Sequence, residues 1–180
     1  MRLREIGTAL VLTLLVILSL SGCQAILGEP KVIKSGEGSG SFQVTVPADW
    51  REDPELNENA AIRASKRRDE LYIIVFSDSK EELRDAVMLD EFTKVASSEL
   101  AKSFKSTEVT TPVPVLVNGT YPGMSYRIYA EANNHKVVYL ITNVETPQAF
   151  HQIITWTLLE LIDRNQSKLQ QVTDTFKVNY

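Results

Sequence analysis

Between Val113 and Thr157 four strand-like runs follow one another with no helical stretch between them: VPVLVNG (Val113–Gly119), MSYRIYAE (Met124–Glu131), HKVVYLITNV (His135–Val144) and AFHQIITWT (Ala149–Thr157). Parallel neighbours need a crossover of a dozen or more residues, and these connections are far shorter, so the sheet must be antiparallel. Asn133-Asn134 can accept positive φ and suits a tight hairpin between the second and third runs. Pro114 cannot donate to a ladder and belongs near an edge or a strand start.

Upstream, FQVTV (Phe42–Val46) alternates with period 2 and is closed by Pro47-Ala48-Asp49-Trp50, and AAIRASK (Ala60–Lys66) precedes a charged turn. ELYIIVF (Glu70–Phe76) is apolar on both parities and predicts a central strand covered on both faces. LDEFTKVASSELAKSF predicts one amphipathic helix, capped by Asp90, with Phe92, Val95 or Ala96, Leu100 and Phe104 inward. A second helix is expected to begin at a capping box, Thr157 with Glu160, and to run to about residue 176 on a stripe of Leu158, Ile162, Leu169, Val172 and Phe176. The order β-β-β-α-β-β-β-β-α predicts an α+β fold, an antiparallel β-sheet covered by α-helices on its faces.

Composition narrows what such a domain can do. The 180 residues carry a net charge of −4, from 19 basic and 23 acidic residues dispersed along the chain, without the basic stripe that attracts nucleic acid. Hydrophobic content of 43% supports a real core. One cysteine leaves no intrachain disulfide, no thiolate cluster for zinc and no CxxC redox pair.

That cysteine, Cys23, follows a basic start (Arg2, Arg4) and the apolar run Thr8–Leu20, a secretory signal layout too short for a comfortable membrane span. Leu20-Ser21-Gly22-Cys23 resembles the lipobox of bacterial lipoproteins. The resemblance implies a diacylglyceryl thioether on Cys23, cleavage before it, and an anchor of two or more acyl chains in the membrane. A buried free cysteine after an uncleaved apolar helix is the competing reading. The expected organisation is a signal peptide over 1–22, a lipidated flexible linker over 23–41, rich in Gly and Ser toward its end, and a folded domain over 42–180. Gln24, in place of an aspartate that marks inner-membrane retention, favours the outer membrane if the cell has two.

The element order, the opening strand running into Pro47-Ala48-Asp49-Trp50, the helix midway and the closing segment Phe150–Lys177 together resemble the PsbP-like superfamily and the bacterial lipoproteins related to it. That superfamily includes the photosystem II accessory protein PsbP, a nuclear import factor that binds the Ran GTPase, and DcrB-like periplasmic proteins. The resemblance implies work by binding, usually to another protein.

Candidate chemistry is sparse. His135 and His151 lack ligand spacing, and His151 falls on the strand face opposite Phe150, Ile154 and Trp156, toward solvent or a covering helix. Ser77-Asp78-Ser79-Lys80 has bare SxxK spacing without companion motifs. Glu52, Asp53, Glu55 and Glu58 could offer oxygens to calcium but lack the order of a calcium loop, which favours a solvated loop. Asn118-Gly119-Thr120 and Asn165-Gln166-Ser167 fit a glycan acceptor pattern that a bacterial lipoprotein has no reason to use. Trp50, Trp156, Tyr121, Tyr126 and Tyr129 read as core and hairpin packing.

The expectation is therefore an extracytoplasmic, lipid-anchored binding or accessory module that docks a protein partner, with no catalysis, no cofactor and no nucleic acid. The alternatives are a carrier of an apolar small molecule or lipid, a photosystem II accessory protein if the host is photosynthetic, and a hydrolase using Ser77 or His151.

Overall fold

The structure, a computed structural model, describes residues 28–38, 40–83 and 87–180. The signal peptide expected over 1–22, the lipobox-like Leu20-Ser21-Gly22-Cys23, and Gln24 lie outside the described residues. In chain order the elements are β1 (Lys31–Lys34), β2 (Phe42–Val46), β3 (Arg51–Glu52), β4 (Ile62–Lys66), β5 (Leu71–Ser79), α1 (Leu89–Lys102), β6 (Lys105–Val109), β7 (Val113–Val117), β8 (Tyr121–Ala132), β9 (His135–Glu145), β10 (Ala149–Leu158), α2 (Ile162–Thr173) and β11 (Lys177–Val178). None of the described helices is long and apolar enough to cross a membrane.

The large sheet runs β3-β4-β5-β10-β9-β8-β6, with β7 also paired to β8, and its described ladders are antiparallel. This is the α+β layered fold the strand spacing requires. β5 lies between β4 and β10, as its two apolar faces demand. The β8–β9 hairpin turns on Asn133 and Asn134, with φ of 50° and 64°. Pro114 sits on β7, at the sheet's edge.

Each face of the large sheet has its own cover. On one face, Leu71, Ile73 and Val75 of β5 and Ile153 of β10 meet Leu169, Val172 and Phe176 from α2 and the turn after it, together with Phe42, Val44 and Val46 of β2. On the other, Ile74, Ile154, Ile141, Ile128 and Tyr126 meet Leu56 and Ala60 from the loop after β3, and Leu100, Ala101 and Phe104 from α1 and its end. A fully buried Leu or Phe contributes about 1.5–3 kcal/mol.

Four features depart from the sequence reading. The linker expected over 23–41 is paired in its second half: β1 joins β2 antiparallel, and β11 flanks β2 on its other side to complete a small three-stranded sheet. β1 shows no alternation because only Ile33 of its four residues is buried. Gly38 and Gly40 serve the turn between these strands, with φ of 95° and 82°. Asp90 does not cap α1, which begins at Leu89 after Met88, and Asp90 lies in the first turn instead. Thr157 and Glu160 form no capping box. β10 continues through Thr157 and Leu158 because both pair with β9, and the Thr157 hydroxyl accepts from Asn165 Nδ2 at 2.9 Å. α2 begins only after a short 3-10 turn over Leu159–Leu161.

Candidate functional site

At the end of the small sheet the chain makes a concave, mostly apolar cleft of about 400 Å³. Pro47 closes β2, and the Trp50 amide donates to the Pro47 carbonyl at 3.0 Å, a turn that folds the indole back under the sheet. The floor is Val46, Trp50, Leu71 and Val172, each 2% exposed or less. The wall opposite is the last half of α2 with Lys168, Gln171 and Thr175. Thr175 fixes that wall to β2, its hydroxyl accepting from the Thr45 amide at 2.8 Å.

The mouth is where the N-terminal segment enters. Register explains it: Lys31 pairs with Val46, so Gly28 and Pro30 run alongside the Pro47–Trp50 turn and line the cleft. Gly28 passes so near Ala48 that a Cβ on it would lie 3.1 Å from the alanine Cβ. Lys31 Nζ donates to the Trp50 carbonyl at 2.9 Å, tying the entering strand to the turn.

Charge at the mouth is arranged around Lys66, whose ammonium contacts Asp49 at 2.5 Å and Asp69 at 2.6 Å. Hydrogen bonding to Asp49 first, then to Asp69, raises the Lys66 pKa above its ordinary value, and the same contact lowers that of Asp69. Arg164 of α2 stands 3.9 Å from Asp69. Lys168, one turn further along α2, has no carboxylate partner among the described residues. The arrangement suits an apolar body with an anionic end.

The residues singled out in the sequence are scattered elsewhere. His151 is 2% exposed and stands among aromatic rings, 4.8 Å from Phe42 and 5.0 Å from Phe176 between centroids. Its cover is thus β2 and the end of α2. The Thr146 hydroxyl donates to the Ala149 carbonyl at 2.8 Å, so it accepts from His151 Nε2 at 3.2 Å, which assigns the Nε2–H tautomer and leaves Nδ1 without a partner among the described residues. Burial pushes the imidazole down to about 4. Ser77 is opposite His151 in the ladder but exposed, and Lys80 is engaged by Glu145.

In the acidic loop, Asp53 accepts from Arg67 at 2.7 Å and from Ser65 at 2.6 Å, and Arg67 also reaches Glu55 at 2.9 Å. The guanidinium holds the Asp53 carboxyl down to about 2. Asn118 turns between β7 and β8 with its amide on the Phe176 carbonyl at 3.2 Å, and Asn165 is fully buried. Trp50 is the one singled-out aromatic that lines the cleft; Trp156 instead stacks on Tyr72 at 5.0 Å. The cleft escaped the sequence reading because its walls come from the chain entry, the turn at Pro47 and the distant α2.

The chain matches no protein-family model and no curated protein sequence. Solved structures do share its fold. LpqN, involved in cell envelope biogenesis of Mycobacterium tuberculosis, is similar with a TM-score of 0.61 at 14% identity over 84% of this chain and 91% of its own. CyanoP, the cyanobacterial PsbP of Synechocystis sp. PCC 6803, gives 0.55 at 12% identity over 88% and 98%. PA94 of Pseudomonas aeruginosa, a protein of unknown function, gives 0.52 at 11% identity over 85% and 99%. The large antiparallel sheet with two helices is therefore a PsbP-like fold, and at these identities the likeness is one of fold.

Proposed function

We propose that this protein is a lipid-anchored accessory module of the bacterial envelope that docks a protein partner and performs no reaction on it. The observation that carries the reading is the fold shared nearly end to end with LpqN, whose own role is in envelope biogenesis. Two features of the chain support it. The residues of the Leu20-Ser21-Gly22-Cys23 motif stand just before the described domain, so a lipid on Cys23 would hold the body at the membrane surface. The sheet also ends in a tandem edge, β6 followed by β7, both paired to the single strand β8.

Along that edge Val109, Val113 and Leu116 are 40%, 53% and 60% exposed. An apolar edge strand offers both side chains and unpaired backbone groups to an incoming chain. A photocrosslinker placed at Leu116 in intact cells should yield one dominant envelope protein, and one at Glu160 should not. Equal, diffuse capture at both positions refutes the docking edge. The anchor is checked separately: wild-type protein should incorporate labelled palmitate and Cys23→Ser should not.

A further inference from the structure

We propose that the cleft between β2, the Pro47–Trp50 turn and α2 takes one acyl chain of an anionic bilayer phospholipid, with the phosphate held by cations at the mouth. Three observations converge on this occupant. The first is depth. Val46, Trp50, Leu71 and Val172, which belong to the buried core beneath α2, also line an open volume of about 400 Å³. That volume is within the roughly 300–1,000 Å³ of small-molecule sites, and an apolar floor offers water few partners.

The second is position. Gly28 lines the mouth, and four residues separate it from Cys23. Five extended steps reach at most about 18 Å. An anchor on Cys23 thus keeps the mouth within that distance of the bilayer interface, where lipid tails are the most concentrated apolar ligand. This step rests on the anchored reading above, whereas the cleft's shape and chemistry do not.

The third is charge. Lys66 and Lys168 line the mouth with Asp49, in a chain whose net charge is −4, while Lys31 donates to the Trp50 carbonyl and Arg164 stands near Asp69. Lys66 is engaged by its two carboxylates, so Lys168, which has no carboxylate partner among the described residues, is the cation left to meet a phosphate. A lysine without a carboxylate partner beside an apolar cleft complements an anionic lipid better than a neutral one.

The test uses the mature protein extracted from membranes in detergent and reconstituted into phosphatidylcholine vesicles containing phosphatidylglycerol with a diazirine at the end of one acyl chain. After irradiation, labelled peptides should map to Val46–Trp50 and Lys168–Thr175. Gln171→Trp, which fills the mouth from an exposed position without disturbing the floor, should lower that labelling at least five-fold. Lys168→Glu should lower it when the probe is phosphatidylglycerol, and change it less than two-fold when the same diazirine chain is carried by phosphatidylcholine. Labelling absent from both cleft peptides, or unchanged by Gln171→Trp, overturns the proposal. So does cleft labelling that appears only when the diazirine is fed into the protein's own Cys23 acyl chains. The intact mass of the same sample reports whether Cys23 is lipidated, which separates failure of the anchor from failure of the cleft.

Discussion

The two faces of the large sheet are covered to different depths. α2 buries Asn165, Leu169, Val172 and Thr173, whereas α1, though longer, buries only Thr93 and leaves Val95 59% exposed, with Met88 just before it at 67%. The difference lies in how each helix is tied. α2 follows β10 after the short 3-10 turn over Leu159–Leu161, is bonded through Asn165 to Thr157 and the Asp69 carbonyl, and passes into β11, which pairs with β2. Strands on both sides therefore clamp it. α1 leads into β6, whose ladder with β8 is interrupted by a shift in register. A helix tied on both sides to regularly paired strands packs to the core, and one that leads into an irregularly paired strand sits higher.

The largest expected effect follows from that contrast. Phe176→Ala, which empties a fully buried site against Phe42, Tyr121 and His151, should cost about 3–5 kcal/mol. Phe92→Ala removes a ring that stacks on Phe150 at 4.6 Å but is only half-buried, and should cost roughly half as much. Urea unfolding of the two variants measures both. Equal losses would break the distinction between the faces.

Next in size is a pH effect confined to the α2 face. Burial lowers the His151 imidazole from 6.5 to about 4, so between these values the unfolded chain binds a proton that the folded chain refuses. The contribution is fully present above pH 6.5 and declines as pH falls through the window, the loss reaching about 3 kcal/mol by pH 4. His151→Leu should flatten this part of the urea-midpoint profile measured from pH 7.5 to 4. Asp53 acts lower: its carboxyl, held to about 2 by Arg67, loses its contribution only between 3.8 and 2. A midpoint of the wild type that does not move between pH 6.5 and 4 would contradict the sealed histidine.

Sequence made the strands and the hairpin legible because their signals are local. Both-parity apolarity placed β5 in the interior, and Asn133-Asn134 fixed a turn whose geometry needs positive φ. β1, β3, β6 and β11 were not legible: each has five residues or fewer, and β11 pairs across 134 or more positions of sequence with Gln43 and Phe42. Thr157 misled because a capping pattern and a strand end share residue types, and pairing to Val138 outweighed the local preference. Of the cleft, Val46, Leu71 and Val172 read as strand or helix packing positions and Pro47-Ala48-Asp49-Trp50 as a strand end, none of them as a site. Its lining spans Gly28 to Thr175, so no window of sequence contains it.

The smallest effect probes why the α1 face is shallow. Beneath the helix the apolar surface is interrupted by a buried polar patch: Asn143 Nδ2 donates to Thr93 Oγ1 at 3.1 Å, and Tyr126 Oη and Gln152 Nε2, also buried, find no partner among the described residues. Thr93→Val keeps the shape and removes the acceptor, which leaves the Asn143 amide buried and unpaired at a cost of about 1–3 kcal/mol. Adding Asn143→Leu removes the stranded amide as well, and the double variant should regain most of that loss, since replacing both partners of a buried hydrogen bond is nearly neutral. A double-mutant cycle by urea unfolding gives the coupling. If the double variant is as unstable as the sum of the singles, the two side chains are independent, and the helix owes its height to its tethers alone.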